Sequence, residues 1–258
     1  MNPKKRNEAL TQKALAFACK DQICAVVFDE IDSTNLEAKR MAAAGGCAPT
    51  LIAANMQTAG RGRLGRTFYS PAEAGAYFTV LYPLPVELAS AVSVTGAAAV
   101  AVMRAVRRLL GIELGIKWVN DLYLNKKKVC GILCESAIGG DGMTYLAVGI
   151  GLNLYKTVFP PEIRHLASSI DADAVSRAGT VAAIVDELLP FLENPSDRSW
   201  IDDYRKASVV LGRHITWIRQ EGSREGVVEE INDDGELIVL ADNGERVVLR
   251  TGEISIRF

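Results

Sequence analysis

The strands predicted along this chain fall into two groups that differ in what lies between them. Up to about residue 210 the apolar pattern alternates between strands and helices, whereas the last 45 residues, from His214, carry short strands separated by turns at 232–235 and 242–244. Mixed helices and strands predict an α+β domain with a mixed sheet, and four or five short strands predict a small SH3-like barrel. We therefore expect two domains, residues 1–210 and residues 211–258.

Hydrophobic spacing and glycine positions predict the elements of the first domain. Helices are expected at 7–19, 33–44, about 89–110, 181–192 and 200–207. Strands are expected at 25–28, 51–55, 76–82, 121–124, 129–135 and 143–154. Thr34 and Glu37 fit the capping-box pattern of a helix start. Gly149 and Gly151 lie inside a predicted strand, which indicates that a ligand or another part of the chain comes close there.

Charge and cysteine content disfavour several classes of protein. The 258 residues include 29 Lys and Arg and 31 Asp and Glu, a formal charge of −2, so a general polyanion binder is disfavoured. The five cysteines match no zinc-binding spacing, which favours reduced thiols in a cytoplasmic protein. The uncharged segment 88–103 is shorter than a bilayer span, and we interpret it as a helix buried in a soluble core rather than a membrane segment.

The segment from Gly60 to Arg66 reads Gly-Arg-Gly-Arg-Leu-Gly-Arg and is expected to form a loop. Glycine lets the main chain wrap around a ligand, and arginine supplies planar donors for phosphate or carboxylate oxygens. The pattern matches neither a Walker A loop nor a dinucleotide-binding turn. A solvated basic loop is the alternative, but a loop that concentrates glycine and arginine favours binding of an anion.

Three further segments carry polar groups that could face a ligand. Ser33-Thr34-Asn35 stands at a helix start, where the alternative is a simple helix cap. The segment 117–121, Lys-Trp-Val-Asn-Asp, combines a cation with a carboxylate, although a turn around a buried tryptophan would read the same way. The three lysines 126–128 fit a hairpin tip, but Lys128 adjoins a strand and could lie over the sheet.

The positions of the two histidines disfavour catalysis by a histidine-activated nucleophile. Neither His165 nor His214 falls near the segments described above. A Ser-His-Asp or Cys-His mechanism is therefore disfavoured. Any catalysis should depend on positioning the reactants and on stabilising negative charge.

Five motifs, taken in order, resemble those of biotin protein ligases. They are Ser33-Thr-Asn, Gln57-x-x-Gly-Arg-Gly-Arg-x-Gly-Arg66, Lys117-Trp-x-Asn-Asp121, Lys128-Val-Cys-Gly-Ile-Leu133 and Gly149-Ile-Gly-Leu-Asn153. The resemblance extends from about residue 25 to Arg257. It implies a catalytic domain of the class II synthetase type, like those of biotin and lipoate ligases, followed by an SH3-like domain.

The resemblance also implies a reaction in two steps. The carboxylate of biotin attacks the α-phosphate of ATP in the presence of Mg²⁺, which gives biotinyl-5′-AMP and pyrophosphate. A lysine of the acceptor protein then displaces AMP. The implied acceptor is the biotin carboxyl carrier domain of a carboxylase such as acetyl-CoA carboxylase. The sequence leaves the oligomeric state open, a homodimer included.

Site residues follow from the same resemblance. It assigns biotin binding to Ser33, Thr34, Asn35, Gln57, Arg61, Gly62, Arg63, Lys128 and Gly131. It assigns ATP binding to Arg61, Arg63, Arg66, Phe68, Lys117, Asn120 and Asn153. The expected catalytic residues are Lys128, Arg63 and Asp121. We expect Lys128 to bridge the biotin carboxylate and the α-phosphate, and Asp121 to act as a base or as a metal ligand.

The chain departs from the family pattern at two positions. Phe68 stands where many relatives have a tryptophan near the adenine, and phenylalanine can still stack there. Val119 stands where relatives commonly have proline. Some relatives also carry a DNA-binding domain, but only about 24 residues precede the first predicted strand here. We therefore expect neither that domain nor a DNA partner.

Two alternatives to a biotin ligase are open. A lipoate ligase is disfavoured because the Arg-Arg-x-x-Gly-Gly-Gly-x-Val motif of that family has no counterpart in this sequence. A nucleic-acid or anion-binding module could use the arginine loop and the small barrel. The near-neutral charge and the lack of nearby aromatic residues beyond Phe68 and Tyr69 disfavour it.

Overall fold

A computed structural model describes residues 9–20, 22–84, 91–219, 222–250, 252 and 254–256. Its helices are α1 (Gln12–Ala18), α2 (Thr34–Ala44), α3 (Ala91–Leu110), α4 (Arg177–Glu193) and α5 (Ile201–Ala207). The first sheet contains β1 (Cys24–Ile31), β2 (Thr50–Gln57), β3 (Gly75–Pro83), β4 (Gly115–Lys117), β5 (Asp121–Leu124), β6 (Lys127–Ile138) and β7 (Thr144–Asn153). The second contains β8 (His214–Arg219), β9 (Gly222–Ile231), β10 (Leu237–Ala241), β11 (Arg246–Leu249) and β12 (Ile254–Ile256).

The first sheet has the strand order β1-β2-β3-β7-β6-β5-β4. The pairing of β1 with β2 is parallel and the other pairings are antiparallel, which makes the sheet mixed as predicted. Side chains of β2 alternate between the two faces: Leu51 joins the main core with α3 and α4, while Ile52 packs with Ala38 and Ala42 of α2. Burial of both faces holds the strands in register.

The second sheet is antiparallel, in the order β11-β10-β9-β8-β12. It packs against the first domain through the turn before β10. There Trp118 donates a hydrogen bond from its indole nitrogen to the carbonyl of Gly235, at 2.9 Å, and the side chain of Trp200 lies against the same glycine. Arg205 of α5 also donates to the carbonyl of Ile231. These contacts bring the second sheet to the edge of the cavity described below.

The predicted elements are found with shifted ends. The helix expected over 7–19 is described at Gln12–Ala18, with residues 7 and 8 outside the described part of the chain; residues 89 and 90 of another predicted helix also lie outside it. The segment 91–103 is indeed part of a helix buried in the core. None of the described helices is long and apolar enough to cross a membrane.

The capping-box prediction is wrong. Helix α2 begins one residue earlier than the pattern indicates, so Ser33 is the N-cap residue and Thr34 is the first helical residue. The hydroxyl of Thr34 is consequently free to bond toward the sheet, where it meets Gln57 and Thr79. The short strand β4 was also not predicted, because three residues are too few to show a period.

Candidate functional site

A cavity of about 150 Å³ opens over β6 and β7. With the exception of Asn153, every site residue expected from the sequence lines it. The residues that sequence reasoning missed are mostly apolar or from the second sheet. They are Leu64, Thr67, Trp118, Ile132, Leu133, Ile150, Gly252 and Ile254. The motifs, although far apart in sequence, therefore meet at one place.

Glycines in the two strands make room for the side chains that surround this cavity. Gly131 of β6 lies opposite Gly151 of β7, and Gly149 is two residues before Gly151 in the same strand. A Cβ at Gly149 would overlap the amide oxygen of Asn35, and a Cβ at Gly151 would lie 2.5 Å from the ring of Phe68. The sequence inference that these glycines mark a close approach is therefore correct.

One group of lining residues, which we call the polar end, consists of Ser33, Thr34, Asn35 and Gln57. Gln57 Oε1 accepts from the backbone N–H of Thr34 at 2.9 Å and lies 3.2 Å from its hydroxyl. Asn35 Nδ2 donates to the carbonyl of Leu133. Ser33, Thr34 and Asn35 are only 2–4% exposed, so the protein itself holds their polar groups in place.

Glu135 anchors the polar end from outside the cavity lining. Its carboxylate accepts from Asn35 Nδ2 at 3.0 Å and pairs with Lys39 of α2. Burial alone would raise the pKa of Glu135, but the hydrogen bonds from Asn35 and Lys39 outweigh it and hold that pKa below its usual value. At neutral pH Glu135 is therefore a carboxylate and accepts hydrogen bonds only.

A second group of lining residues, which we call the cationic end, belongs to the loop of residues 60–68. The loop is folded back on itself: Phe68 N–H donates to the carbonyl of Gly60 at 2.8 Å, and Gly62 N–H donates to that of Arg66 at 2.7 Å. A single 3₁₀ turn covers Arg63–Gly65. Arg61 and Arg66 are exposed, and Arg63 reaches the amide oxygen of Asn120 at 3.4 Å. The loop thus presents three guanidinium groups around one mouth.

Lys128 lines the same cavity from β6. Its ammonium group is 2.6 Å from Asp121 Oδ1 and 5.8 Å from the centre of the Phe68 ring. Asn125 and Lys126 have positive φ and make the hairpin tip. The expectation that Lys128 lies over the sheet, whereas Lys126 forms the turn, is therefore correct. A cation held by a single carboxylate keeps donors for other anions.

The segment 117–121 serves two purposes. Trp118 is buried and donates a hydrogen bond to the turn before β10. This agrees with the alternative interpretation, a turn around a buried tryptophan. Lys117, Asn120 and Asp121 line the cavity, as the binding interpretation predicted. The Asn120 side chain donates to the carbonyl of Ile132 at 2.8 Å, which fixes its oxygen toward Arg63.

Asn153 is buried and does not line the cavity. Its Nδ2 donates to the carbonyl of Ser168 at 3.0 Å, and the backbone N–H of Ser168 donates to the carbonyl of Lys128 at 2.9 Å. Asn153 thus holds the segment that pairs with Lys128 rather than facing the cavity. Its contact with ATP stays a prediction, because its side chain points toward residue 168 in this structure.

The nearby thiol of Cys130 does not offer a nucleophile. Burial raises the pKa of the Cys130 thiol far above its usual value, so it is protonated at neutral pH. The five cysteines are all free. Covalent catalysis by a thiolate is therefore disfavoured, in agreement with the sequence.

Family models match most of both domains. The Biotin/lipoate A/B protein ligase family matches residues 27–153, and the Biotin protein ligase C terminal domain matches residues 210–257. A Biotin--[acetyl-CoA-carboxylase] ligase of Paracoccus denitrificans is 35% identical over 243 residues, which are 84% of this chain and 94% of that protein. The chain belongs to the biotin protein ligase family. The family predicted from the five motifs is thereby confirmed.

A solved structure of the same family shares the fold. A biotin protein ligase from Aquifex aeolicus, in complex with biotin and ATP, superposes with a TM-score of 0.77 at 25% identity, covering 91% of this chain and 98% of that one. The fold class predicted from the sequence, an α+β domain followed by a small β-domain, is confirmed.

Other biotin protein ligases are longer than the region they share with this chain. The bifunctional ligase/repressor BirA of Bacillus subtilis is 31% identical over 189 residues, which make up 70% of this chain. The match spans 58% of the length of BirA.

Proposed function

We propose that this protein is an ATP-dependent biotin protein ligase. It forms biotinyl-5′-AMP from biotin and ATP, and it transfers biotin to a lysine of a biotin carboxyl carrier domain, that of an acetyl-CoA carboxylase. The observation that carries the proposal is that Lys128 lines the same cavity as the buried polar groups of residues 33–35 and the arginines of the loop 60–68. The family match and the biotin- and ATP-bound Aquifex structure support it.

The first step joins two anions, and the cationic end offsets their repulsion. An oxygen of the biotin carboxylate attacks the α-phosphorus of ATP, the bond to the bridging oxygen of the β-phosphate breaks, and pyrophosphate leaves. Lys128 donates to the carboxylate and to the α-phosphate, while Arg61, Arg63 and Arg66 face the phosphates. Such cationic donors stabilise the charge of the transition state and hold the reacting atoms together.

Asp121 has the chemistry to hold Mg²⁺ in this reaction. Magnesium is bound in nucleotide sites by one or two carboxylates together with phosphate oxygens, so a single carboxylate in the cavity lining fits. Asp121 does not belong to the group of three potential metal ligands found among the described residues. That group lies in the second domain and consists of His214, Glu225 and Asp242. Bound Mg²⁺ would neutralise phosphate charge beside Asp121.

The second step transfers biotin to the acceptor. The neutral amine of the acceptor lysine attacks the carbonyl carbon of the mixed anhydride, AMP leaves, and the amine gives up a proton. In this proposal Asp121 receives that proton as the alternative to holding a metal ion, after Lys128 has turned to the departing phosphate. All of these side chains belong to one chain, so the proposal requires no homodimer.

Water must be kept from the intermediate, because biotinyl-5′-AMP is a mixed anhydride. The loop of residues 60–68 borders one side of the mouth, with the side chain of Leu64 76% exposed. Gly252 and Ile254 of the second domain border the cavity too. We propose that closure of the arginine loop toward the second sheet covers the adenylate.

Exchange of labelled pyrophosphate into ATP tests the first step directly. We expect exchange that requires biotin, and no exchange when lipoate replaces it. Exchange supported by lipoate and not by biotin would instead establish the lipoate ligase. Exchange with neither, together with a gel shift of single-stranded RNA or DNA, would favour the nucleic-acid-binding alternative.

The second step is tested with the acceptor. The protein, labelled biotin and ATP are incubated with the purified biotin carboxyl carrier domain of an acetyl-CoA carboxylase, and label on its lysine is measured. A cell lysate in place of the domain shows whether other proteins are labelled as well. The free cysteines support a cytoplasmic location for this reaction.

A further inference from the structure

Thr79 lies directly behind the polar end and is completely buried in the middle of β3. It is not part of the cavity lining and belongs to none of the five motifs. Its hydroxyl is 2.7 Å from Asn35 Oδ1 and 2.8 Å from Thr34 Oγ1. A threonine hydroxyl has one hydrogen to donate, so only one of these two neighbours can receive it.

The direction of these hydrogen bonds is decided at Asn35. Both hydrogens of Asn35 Nδ2 are used, since Nδ2 donates to the carbonyl of Leu133 and to the carboxylate of Glu135, and neither of these groups can donate. Asn35 Oδ1 therefore faces Thr79 and can only accept. The single hydrogen of Thr79 goes to Asn35, and Thr79 can only accept from Thr34.

Thr34 is consequently left with one role toward the cavity. Its neighbours inside the protein are Thr79 Oγ1 at 2.8 Å and Gln57 Oε1 at 3.2 Å. Both of them accept, so the hydroxyl hydrogen of Thr34 points into the protein whichever of the two receives it. Toward the cavity, which Thr34 lines, its oxygen offers lone pairs only.

Gln57 presents the opposite polarity beside it. Its Oε1 accepts from Thr34, and its Nε2 donates to Ser70 Oγ at 2.9 Å. Ser70 Oγ in turn donates to the carbonyl of Phe68 at 3.1 Å, which confirms the direction. A carboxamide has two N–H groups, so Gln57 retains a second donor at the cavity. The polar end thus offers an acceptor next to a donor.

We propose that Thr79 is a positioning residue that selects the ring of the substrate. Through Asn35, whose orientation Glu135 determines, Thr79 is kept as the nearer acceptor for the Thr34 hydroxyl. Together with Gln57 Oε1 it keeps the oxygen of Thr34 available to accept, so that the polar end prefers a ring with an N–H next to a C=O. A cyclic urea such as that of biotin has this edge, whereas a dithiolane ring such as that of lipoate does not. The inference rests on the proposed function and extends it to substrate selection.

The test compares two variants at the same position. Thr79→Val keeps the shape of the side chain and removes the hydroxyl, so Thr34 loses its nearer acceptor and Asn35 Oδ1 loses its donor. We expect the KM for biotin in pyrophosphate exchange to rise about tenfold, which is typical of an unpaired buried polar group. The kcat and the KM for ATP should stay within about twofold of the parent. Thr79→Ser, which keeps the hydroxyl, should restore the KM for biotin.

A matched control separates positioning from loss of stability. Thr180 is also buried, and its hydroxyl donates to the backbone carbonyl of Ser176, the N-cap residue of α4, which is outside the cavity lining. Thr180→Val should lower the Tm by an amount similar to Thr79→Val and leave the KM for biotin unchanged. An equal rise in KM for Thr79→Val and Thr180→Val would overturn the inference, and so would an unchanged KM in Thr79→Val.

A substrate analogue sharpens the result. Two analogues of biotin each replace one of the two ring N–H groups by oxygen. For one of these analogues, the loss of binding should be larger in the parent than in Thr79→Val. An equal loss in both proteins for both analogues would show that Thr79 does not act through the N–H group. Absence of biotin-dependent exchange in the parent itself would be a different outcome, since it would remove the proposed function before Thr79 is in question.

Discussion

The two ends of the cavity satisfy their polar groups in different ways. At the polar end, Thr34 and Asn35 are buried and their hydrogen bonds go to Gln57, Thr79 and Glu135 within the protein. At the cationic end, by contrast, Arg61 and Arg66 extend from an exposed loop. The polar end is therefore formed before any ligand binds, whereas the cationic end keeps its charged side chains exposed and accessible to a ligand.

The difference suits the two kinds of group that the reaction requires. A neutral ring must be recognised by the direction of its hydrogen bonds, and buried groups with fixed directions do this well because a mismatched partner leaves a polar atom unpaired. Phosphates change in charge and position as ATP becomes an adenylate. Arginine and lysine side chains on flexible stems can follow that change.

The largest loss of activity is expected from a change at Lys128. Lys128→Ala removes the ammonium group that pairs with Asp121 and would contact both reacting anions. Biotin-dependent pyrophosphate exchange should fall by about 10²–10³-fold, as is typical when one charge-stabilising donor is removed from an active site. The matched control is Lys127→Ala, which removes an exposed ammonium group that donates to the carbonyl of Arg164, and this variant should exchange like the parent. Parental exchange in Lys128→Ala would refute the role given to this lysine.

A smaller effect is expected from disturbing the polar end alone. Gly149→Ala would place a Cβ on the amide oxygen of Asn35 and push the start of α2 away from β7. Because overpacking of this kind displaces neighbouring groups, we expect the KM for biotin to rise about tenfold, with little change in the KM for ATP. The control is Gly179→Ala in α4, which replaces a glycine outside the cavity lining. Equal changes in both KM values would mean that the two ends are not separate.

A change at the cationic end should affect retention of the adenylate more than the KM for biotin. Arg63→Ala removes the guanidinium group that reaches Asn120. We expect the purified protein to release biotinyl-5′-AMP about five to ten times faster, since one charge-assisted contact to the phosphate is lost, while the KM for biotin changes less. Arg107→Ala, an exposed arginine of α3, should release the adenylate at the parental rate. A change in biotin KM without faster release would place Arg63 at the wrong end.

The smallest effect is a pH dependence of stability at Glu135. Because its pKa is lower in the folded protein than its usual 4.5, Glu135 stabilises the fold fully above that value, and this contribution is lost as the pH falls through the lower folded-state pKa. Urea unfolding should show Glu135→Gln less stable than the parent at pH 7, by about 1 kcal/mol or less. The difference should shrink below pH 4.5, and a difference that grows with acid would contradict the proposed hydrogen bonds.

Sequence patterns predicted the groups that carry chemistry better than those that orient them. The arginine loop, Lys128 and the strand glycines all stand out by composition, and the structure brings them together. Thr79 and Glu135 could not be found in this way, since a threonine in an apolar strand and a glutamate in a partly exposed one look like ordinary strand residues. Their partners are 44 and 100 residues away in the chain, so only the fold reveals them.

The wrong capping-box prediction and the unexpected positions at the site have the same origin. Thr34 and Glu37 match a local capping pattern, but the bonds of Thr34 to β2 and β3 prevail over it. Asn153 belongs to a motif, yet its side chain holds the segment around Ser168 instead of lining the cavity. Gly252 and Ile254 were not expected at the site, because the packing of one domain on the other leaves no local signal.

A crystal structure with biotin and ATP bound would test the division of the cavity most directly. We expect the ureido ring to lie against Thr34 and Gln57, the carboxylate and the α-phosphate to meet at Lys128, and the loop of residues 60–68 to contact the phosphates. Ligand density with the ring among the arginines, or with the loop of residues 60–68 in contact with neither ligand, would contradict it.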